Sequence, residues 1–277
     1  MSSYKLIFCD LDGTLLMPDL VSMSDENKRA LEELTRRGVY VVPCSGRTYN
    51  LIPKVLTDCP HVKYVASSNG TCIYDRESGE IVIDNRPTKK ERELMLDLLG
   101  EYDFFNCFHI DGDAYCEQSL CNSEDYARYG VDEYFGRFFE NHATKAEGLI
   151  ERTRGESGYE MACIFSADAE QLAEMQKRMD ATGIFRTAKS HINNVEVFPL
   201  RSGKGNAVRA LAEKLGIDIS DTIAVGDSNN DATMVAAAGL GLAVENAIPE
   251  LKSVADEVVC HFKDHVLEYI LNHYICK

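Results

Sequence analysis

The chain alternates short apolar runs with stretches of helical periodicity, and several of the apolar runs stop abruptly in polar, glycine-containing loops. The first is Tyr4 to Cys9, followed by Asp10-Leu11-Asp12-Gly13-Thr14. An apolar run of this length bounded by a turn signal predicts a fully buried strand of a parallel sheet. Ser24 then offers an N-cap, Asp25 and Glu26 supply negative charge to a first helical turn, and a helix is predicted through Ala30, Leu31 and Leu34 until Gly38 stops it. Val39–Val42 predicts a second buried strand, closing on Pro43-Cys44-Ser45-Gly46-Arg47. Strand, helix and strand at this spacing make a βαβ unit with a right-handed crossover. A helix from about Tyr49, a strand at Val62–Ala66, the loop Ser67–Gly70 and a hairpin from Thr71 to Asp84 complete this first part.

Around Arg86-Pro87 the texture changes. Thr88-Lys-Lys-Glu91 is a capping box opening a helix through Leu94, Leu98 and Leu99. Phe104–Ile110 and Ala114–Glu117, joined through Asp111-Gly-Asp113, read as a hairpin. Asn122–Arg154 is polar and tyrosine-rich and gives no clear assignment. Tyr159–Ser166 predicts a strand, Asp168–Met179 an amphipathic helix and Phe185–Ala188 another strand. Hairpins mixed with helices point to an α+β module.

The βα texture returns with a strand at Val195–Phe198, a helix from Lys204 to Leu215 opened by Ser202-Gly-Lys204-Gly, and a strand at Thr222–Val225. That strand ends in Gly226-Asp227-Ser-Asn-Asn230-Asp231. Shorter elements are expected at Ala232–Ala238, Gly241–Val244, Asn246–Ala255, Glu257–Cys260 and Lys263–Ile275. The expected fold is α/β: a Rossmann-like, doubly wound parallel-sheet core from residues 1–85 and 191–277, with an inserted α+β domain at 86–190.

Composition narrows the function. The 277 residues include 45% hydrophobic ones, enough for sizeable cores. A formal net charge of -16 argues against a nucleic-acid partner and means that an anionic substrate needs local cations or a metal. The first residues lack a signal-peptide pattern, and no apolar run is long enough to span a bilayer, so a cytoplasmic location and no membrane partner are expected. The ten cysteines are scattered and form no CxxC pair, which fits reduced thiols.

Four polar groups end strands or open helices of the same predicted sheet: Asp10 with Asp12, Ser45-Gly46, Lys204, and Asp227 with Asn230 and Asp231. Ligands of parallel sheets bind beyond the carboxyl ends of the strands. Taken singly, each group also reads as an ordinary turn, cap or solvated lysine, and Ser45-Gly46-Arg47 reads either as a plain βα loop or as an anion cradle whose guanidinium joins in. Taken together they set several carboxylates at one sheet edge, where they repel unless a cation sits among them. Oxygen ligands suit a hard ion, Mg²⁺ most naturally where a phosphate shares the site.

With these motifs in this order, the sequence resembles the haloacid-dehalogenase-like (HAD) phosphatases, specifically the Cof-like subfamily with an α/β cap. Asp10-Leu-Asp12-Gly-Thr14 matches the first motif, Ser45-Gly46-Arg47 the second, Lys204 the third and Gly226-Asp227-Ser-Asn-Asn230-Asp231 the fourth. The inserted domain falls where the cap would. Asn69-Gly70 and Ala243-Val-Glu-Asn246-Ala247 are also similar. Ser45 stands where the subfamily more often has Thr, which keeps the hydroxyl.

The resemblance implies a Mg²⁺-dependent hydrolase of small phosphate monoesters, sugar phosphates or phosphorylated cofactors, working through an aspartyl-phosphate. Asp10 would be the nucleophile and Asp12 the general acid and base. Mg²⁺ would be held by Asp10, the Asp12 carbonyl and Asp227. Phosphate oxygens would be bound by Leu11 N–H, Ser45, Gly46 N–H, Asn230 and Lys204, with Asp231 orienting Lys204 or a metal-bound water. A phosphotransferase or mutase on the same chemistry, and a phosphometabolite-binding regulatory protein, are the alternatives, and no obligate protein partner is inferred. His109, Asp111, Asp113 and Glu117 lie in a hairpin that either faces the pocket or is simply solvated. Cys9 and Cys44 immediately precede Asp10 and Ser45, so their oxidation would disturb catalysis unless they are inert core thiols.

Overall fold

The computed structural model describes residues 4–189 and 191–276. Its strands are β1 (Leu6–Cys9), β2 (Tyr40–Pro43), β3 (Tyr64–Ser67), β4 (Cys72–Asp75), β5 (Ile81–Asp84), β6 (Phe105–Ile110) and β7 (Asp113–Glu117), then β8 (Thr144–Ala146), β9 (Tyr159–Phe165), β10 (Phe185–Ala188), β11 (Asn194–Pro199), β12 (Thr222–Gly226), β13 (Leu240–Ala243) and β14 (Glu257–Val258). Two compact units emerge. One comprises the residues up to Asp84 and those from Gly203 on; the other is Asn85–Ser202.

The first unit is built on a parallel sheet of order β14-β13-β12-β1-β2. Period-two alternation explains its layers. Ile7 and Cys9 of β1, with Val41, Ile223 and Val225, pack under Ala30, Leu31 and Leu34 of the helix Asp25–Arg36 and under Val266, Leu267 and Ile270 near the C-terminus. Leu6 and Phe8, with Val42 and Ala224, face Ala207, Val208 and Leu211 of the helix Lys204–Leu215. All of these side chains are buried. The hairpin β3-β4-β5 forms a small antiparallel sheet, tied to the main one through a parallel bridge between Cys44 and Ala66.

The second unit is a mixed sheet of order β10-β11-β9-β6-β7-β8. Phe108, Ile110, Ala162, Ile164, Val195 and Val197 line one face and bury the apolar sides of the helices Lys89–Leu99 and Ala169–Ala181. The segment that gave no clear assignment holds the helices Ser123–Arg128, Glu133–His142 and Leu149–Arg154 and the edge strand β8. One expectation is corrected here. Val195–Phe198 was expected in the core sheet, but β11 pairs with β9 and β10 in the second sheet. A short apolar strand packs equally well in either sheet, so local pattern cannot choose between them.

The helix expected from Tyr49 is also cut short. Only a 3₁₀ turn, Tyr49–Leu51, and one turn, Lys54–Thr57, form, because Pro53 pushes Ile52 to an extended conformation. By contrast, Ser24 caps its helix as expected, accepting from the Asn27 N–H at 3.2 Å. The Thr88–Glu91 capping box is complete: Glu91 N–H donates to Thr88 and Thr88 N–H donates to Glu91. Arg201 grips the same Glu91 carboxylate with two N–H groups, at 2.9 and 2.8 Å. Those guanidinium bonds, with the cap, push the Glu91 pKa down to about 2. A depressed carboxylate stabilises the fold above its unfolded pKa, and the contribution is lost as pH falls from about 4.5 toward 2. Glu91→Gln is therefore expected to cost about 1 kcal/mol at pH 7 and roughly half that at pH 3, read as unfolding midpoints in urea at the two pH values.

Candidate active site

The alternation that buries Leu6 and Phe8 continues one residue past β1. Asp10 keeps an extended backbone, φ -65° and ψ 162°, so its side chain should point to the face covered by the helix Lys204–Leu215. It does. Lys204, the first residue of that helix, brings its Nζ to 2.5 Å from Asp10 Oδ1 and 2.6 Å from Asp231 Oδ1. The ammonium is buried between two buried carboxylates.

Asp231 is fully committed. Besides Lys204, it accepts the backbone N–H groups of Asp227 and Ser228 on Oδ2, each at 3.0 Å. These bonds fold the segment after β12 into a tight turn over Gly226, where an added Cβ would come within 2.5 Å of the Asp231 side chain. The turn sets Asp227 beside Asp10. One carboxylate oxygen each of Asp10, Asp227 and Asp231 lie within 4.8 Å of one another. After Asp10 the chain turns sharply at Gly13, φ +81°, a left-handed conformation at a point where a Cβ would come within 2.5 Å of Asp227 Oδ2. Asn246 pins this turn by donating to Gly13 O at 2.8 Å, and its own Oδ1 accepts the Phe262 N–H.

Asp12 leaves the strand line. Arg47 holds its carboxylate with Nε at 2.9 Å and Nη2 at 2.5 Å, and also donates to the Leu20 and Leu51 carbonyls. The guanidinium considered above for an anion cradle is thus engaged with Asp12. Ser45 stands two residues past β2, and the Cys44 N–H bond to Cys9 O, 2.9 Å, sets it next to Asp10. Ser45 Oγ accepts the Arg47 N–H at 3.2 Å, so the Ser45–Arg47 turn is curled on itself. Asn69, with a left-handed backbone, φ 55°, donates its N–H to Ser45 O and accepts from Asn230 Nδ2 at 3.4 Å. Leu11 is buried at the start of the turn and Gly46 lies between Ser45 and Arg47. Every residue proposed for the site from sequence therefore lies on the loops that follow β1, β2 and β12 or at the start of the helix Lys204–Leu215. The Arg47–Asp12 pair and the Asn69–Asn230 and Asn246–Gly13 contacts were not foreseen. Asn69-Gly70 and Asn246 carried only a motif similarity.

Crowding has electrostatic consequences. Burial and the Asp231 carboxylate push the Asp10 pKa well up, with Lys204 opposing. Burial and Asp231 likewise push Asp227 up to about 7. For Lys204, burial works against the charge, but Asp10 and Asp231 outweigh it and the ammonium is held well above its usual range. Asp227 Oδ1 is buried and has no hydrogen-bond partner among the described residues. An orphaned carboxylate oxygen beside a second carboxylate fits a divalent cation. The donor set is all oxygen, as Mg²⁺ requires. Of the three carboxylates, Asp231 has both oxygens engaged, which leaves Asp10 and Asp227 as the side chains suited to hold the ion.

Cys9 and Cys44 are both fully buried, and burial raises both thiols, Cys44 to about 12. Protonated, enclosed thiols of this kind are poor nucleophiles. Of the hairpin residues, Glu117 accepts the N–H groups of Gly148 and Leu149 at the start of the helix Leu149–Arg154, and His109 is buried, its pKa lowered by desolvation to about 3. Asp111, with a left-handed backbone, lies 3.4 Å from Arg86.

Comparison with known proteins identifies the family. Residues 7–271 match the family model of haloacid dehalogenase-like hydrolases. The chain belongs to that family. It is 29% identical, over 97% of each chain, to the 5-amino-6-(5-phospho-D-ribitylamino)uracil phosphatase YwtE of Bacillus subtilis. It is 27% identical to the HMP-PP phosphatase of Cronobacter sakazakii, over 96% of this chain and 94% of the relative. A solved haloacid dehalogenase-like hydrolase from B. subtilis superimposes with a TM-score of 0.83 at 28% identity, covering 98% of this chain and all of the other. Among the described residues, no helix of this hydrolase is long and apolar enough to cross a membrane.

Proposed function

We propose that this hydrolase is a Mg²⁺-dependent phosphatase of small phosphorylated metabolites that works through an aspartyl-phosphate on Asp10. The observation that carries the reading is the convergence of Asp10, Asp227 and Asp231 around Lys204 at the ends of two parallel strands. It is supported by relatives named as a 5-amino-6-(5-phospho-D-ribitylamino)uracil phosphatase and an HMP-PP phosphatase. The enzyme is a phosphoric monoester hydrolase, and sugar phosphates and phosphorylated cofactors are its substrate class.

Asp10 attacks phosphorus, and Lys204 steadies its carboxylate. Lys204 also offsets charge on the phosphoryl oxygens. Ser45, the N–H groups of Leu11 and Gly46, and Asn230 hold those oxygens. Asp231 fixes Lys204 and shapes the Asp227 turn, a positioning role. Mg²⁺, held by Asp10, Asp227 and the Asp12 carbonyl, would neutralise the clustered negative charge and orient the phosphoryl group. Asp12 delivers a proton to the leaving alcohol and takes one from the water that releases phosphate. Both Asp12 oxygens accept Arg47 N–H groups, so Asp12 must release Arg47 to reach the leaving group. The family resemblance would give the choice of leaving group to the inserted α+β domain.

The direct test is phosphate release across a panel of phosphorylated metabolites, with Mg²⁺ and with chelator. Release confined to the Mg²⁺ arm is expected; equal release in both would overturn the metal requirement. Arg47 gives a finer prediction. Arg47→Ala is expected to raise kcat for an alkyl phosphate by about tenfold relative to that for nitrophenyl phosphate, because both substrates share the action of Asp12 on water but only the alkoxide needs a proton from it. The readout is the ratio of the two kcat values.

A further inference from the structure

The second unit holds a row of cysteines that the catalytic reading does not use. Register sets Cys107 on β6 opposite Cys163 on β9 and opposite Cys116 on β7. Five residues after Cys116, past the 3₁₀ turn Gln118–Leu120, the chain returns and brings Cys121 back to the same strand. The two sulfurs, Cys116 Sγ and Cys121 Sγ, lie 2.9 Å apart, and Cys121 Sγ also lies 3.2 Å from Glu117 O. Both residues are free thiols. We propose that Cys116 and Cys121 form a reversible dithiol–disulfide couple, a modification site for hydroperoxides.

The geometry favours the bond. Disulfide sulfurs sit about 2.05 Å apart, so the pair must close by roughly 0.9 Å, and the turn that carries Cys121 back is already formed. The two thiols also differ as an attacking and a resolving thiol should. Cys116 is fully buried, and its thiol is pushed up by the hydrogen bond to Cys121 and by burial. Cys121 is half-buried, and the hydrogen bond from Cys116 lowers its pKa to about 7 against the opposing effect of burial. The Tyr126 hydroxyl from the helix Ser123–Arg128 and the Lys145 ammonium from β8 act in the same direction, while the Glu117 carboxylate opposes them. Lys145 stands directly across the β7–β8 pairing from Cys116. A thiolate beside a cation and partly open to solvent is the reactive kind of cysteine. The other cysteines of the row lack these features: Cys107 is buried and raised to about 12, and burial also holds the Cys163 thiol well above its usual range.

The chemistry balances without a cofactor. Cys121 thiolate attacks one peroxide oxygen, the O–O bond breaks, and the departing hydroxide takes a proton to leave as water. Cys121 is now a sulfenic acid, oxidised by two electrons. The Cys116 sulfur attacks the Cys121 sulfur, the S–S bond forms, and the sulfenic oxygen leaves with the Cys116 proton as a second water. A dithiol reductant reverses the couple. The bridge fixes the Gln118–Leu120 turn, and with it Asn122, the N-cap of the helix Ser123–Arg128, onto β7. Glu117, the last residue of β7 before that turn, holds the start of the helix Leu149–Arg154, so one bond would stiffen both segments.

The full-length protein, treated with hydrogen peroxide and alkylated, can be digested with a glutamate-specific protease, which cuts after Glu117 and separates the two cysteines. Non-reducing mass spectrometry is expected to find the peptide ending at Glu117 linked to the one containing Cys121, with fragmentation assigning the bond to Cys116 rather than Cys107. Dithiothreitol should remove the link. Because the attacking species is the thiolate of a group with a pKa of about 7, linkage should form about tenfold faster at pH 8 than at pH 6. Cys116→Ser should leave Cys121 as a sulfenic or sulfinic acid with no link, and the untreated Cys121→Ser protein should keep its phosphatase activity. The idea is overturned if the wild-type protein shows oxidation at the exposed Cys276 alone, a Cys107–Cys116 bond, or higher oxidation of Cys121 without any link. That wild-type result requires no variant to fold.

Discussion

Asp10→Asn is expected to lower turnover of nitrophenyl phosphate by about 10³-fold or more while leaving the fold intact. The amide has the shape of the carboxylate but cannot form an acyl phosphate. Stability should not fall with it. Lys204 keeps Asp231 at 2.6 Å, and the substitution removes one of the like charges that burial and Asp231 already hold out of their normal range. Thermal unfolding in chelator should therefore occur at or above the wild-type temperature, which separates a lost nucleophile from a lost structure. Robust turnover by the variant would remove the covalent mechanism.

The second large effect concerns Asp227 and the ion. In the metal-free protein its pKa stands near 7 because burial and Asp231 disfavour the charge. In the unfolded chain it titrates near 3.8. Between those values the folded state binds more protons than the unfolded one, so stability must fall as pH rises through this window. The loss from this group is on the order of a few kcal/mol, and it is complete above pH 7. Mg²⁺ binding to the ionised carboxylates should reverse it, by about 2.7 kcal/mol when the ion is at a hundred times its dissociation constant. Unfolding midpoints in chelator are thus expected to drop from pH 5 to pH 8, and Mg²⁺ should restore them most strongly at pH 8. Asp227→Asn should give opposite signs in two assays: a more stable protein in chelator at pH 8, and an enzyme at least about 10²-fold slower with no stabilisation by Mg²⁺. A variant that still responds to Mg²⁺ would place the ion elsewhere.

What the sequence disclosed and what it hid have physical reasons. The loops after β1, β2 and β12 were legible because a buried parallel strand leaves a strong local mark, a short apolar run cut off by Gly and Asp. Asp10 facing Lys204 also follows from period-two alternation once the helix is known to cover that face. Val195–Phe198 was misplaced because its four residues satisfy either sheet, and only pairing with β9 and β10 decides. Asn122–Arg154 resisted assignment because its helices are short and held by caps such as Asn122 and Asp132 rather than by a long apolar stripe. Arg47 could be seen as a cation near the site, but its partner lies 35 residues away and depends on where the Gly13 turn sends Asp12. The Cys116–Cys121 contact depends on the turn between them, which no cysteine spacing rule announces.

The most direct measurement traps the phosphoryl group on the enzyme. Nitrophenolate leaves without needing a proton, so Asp12→Asn enzyme should still be phosphorylated by nitrophenyl phosphate yet fail to activate the water that clears it. Acid quenching and borohydride reduction convert an acyl phosphate to an alcohol, which peptide mass spectrometry can locate. Homoserine at position 10, absent from the Asp10→Asn/Asp12→Asn double variant, is the predicted result. Phosphate release from the enzyme with position 10 still an unmodified aspartate, or homoserine at any other aspartate, would contradict it.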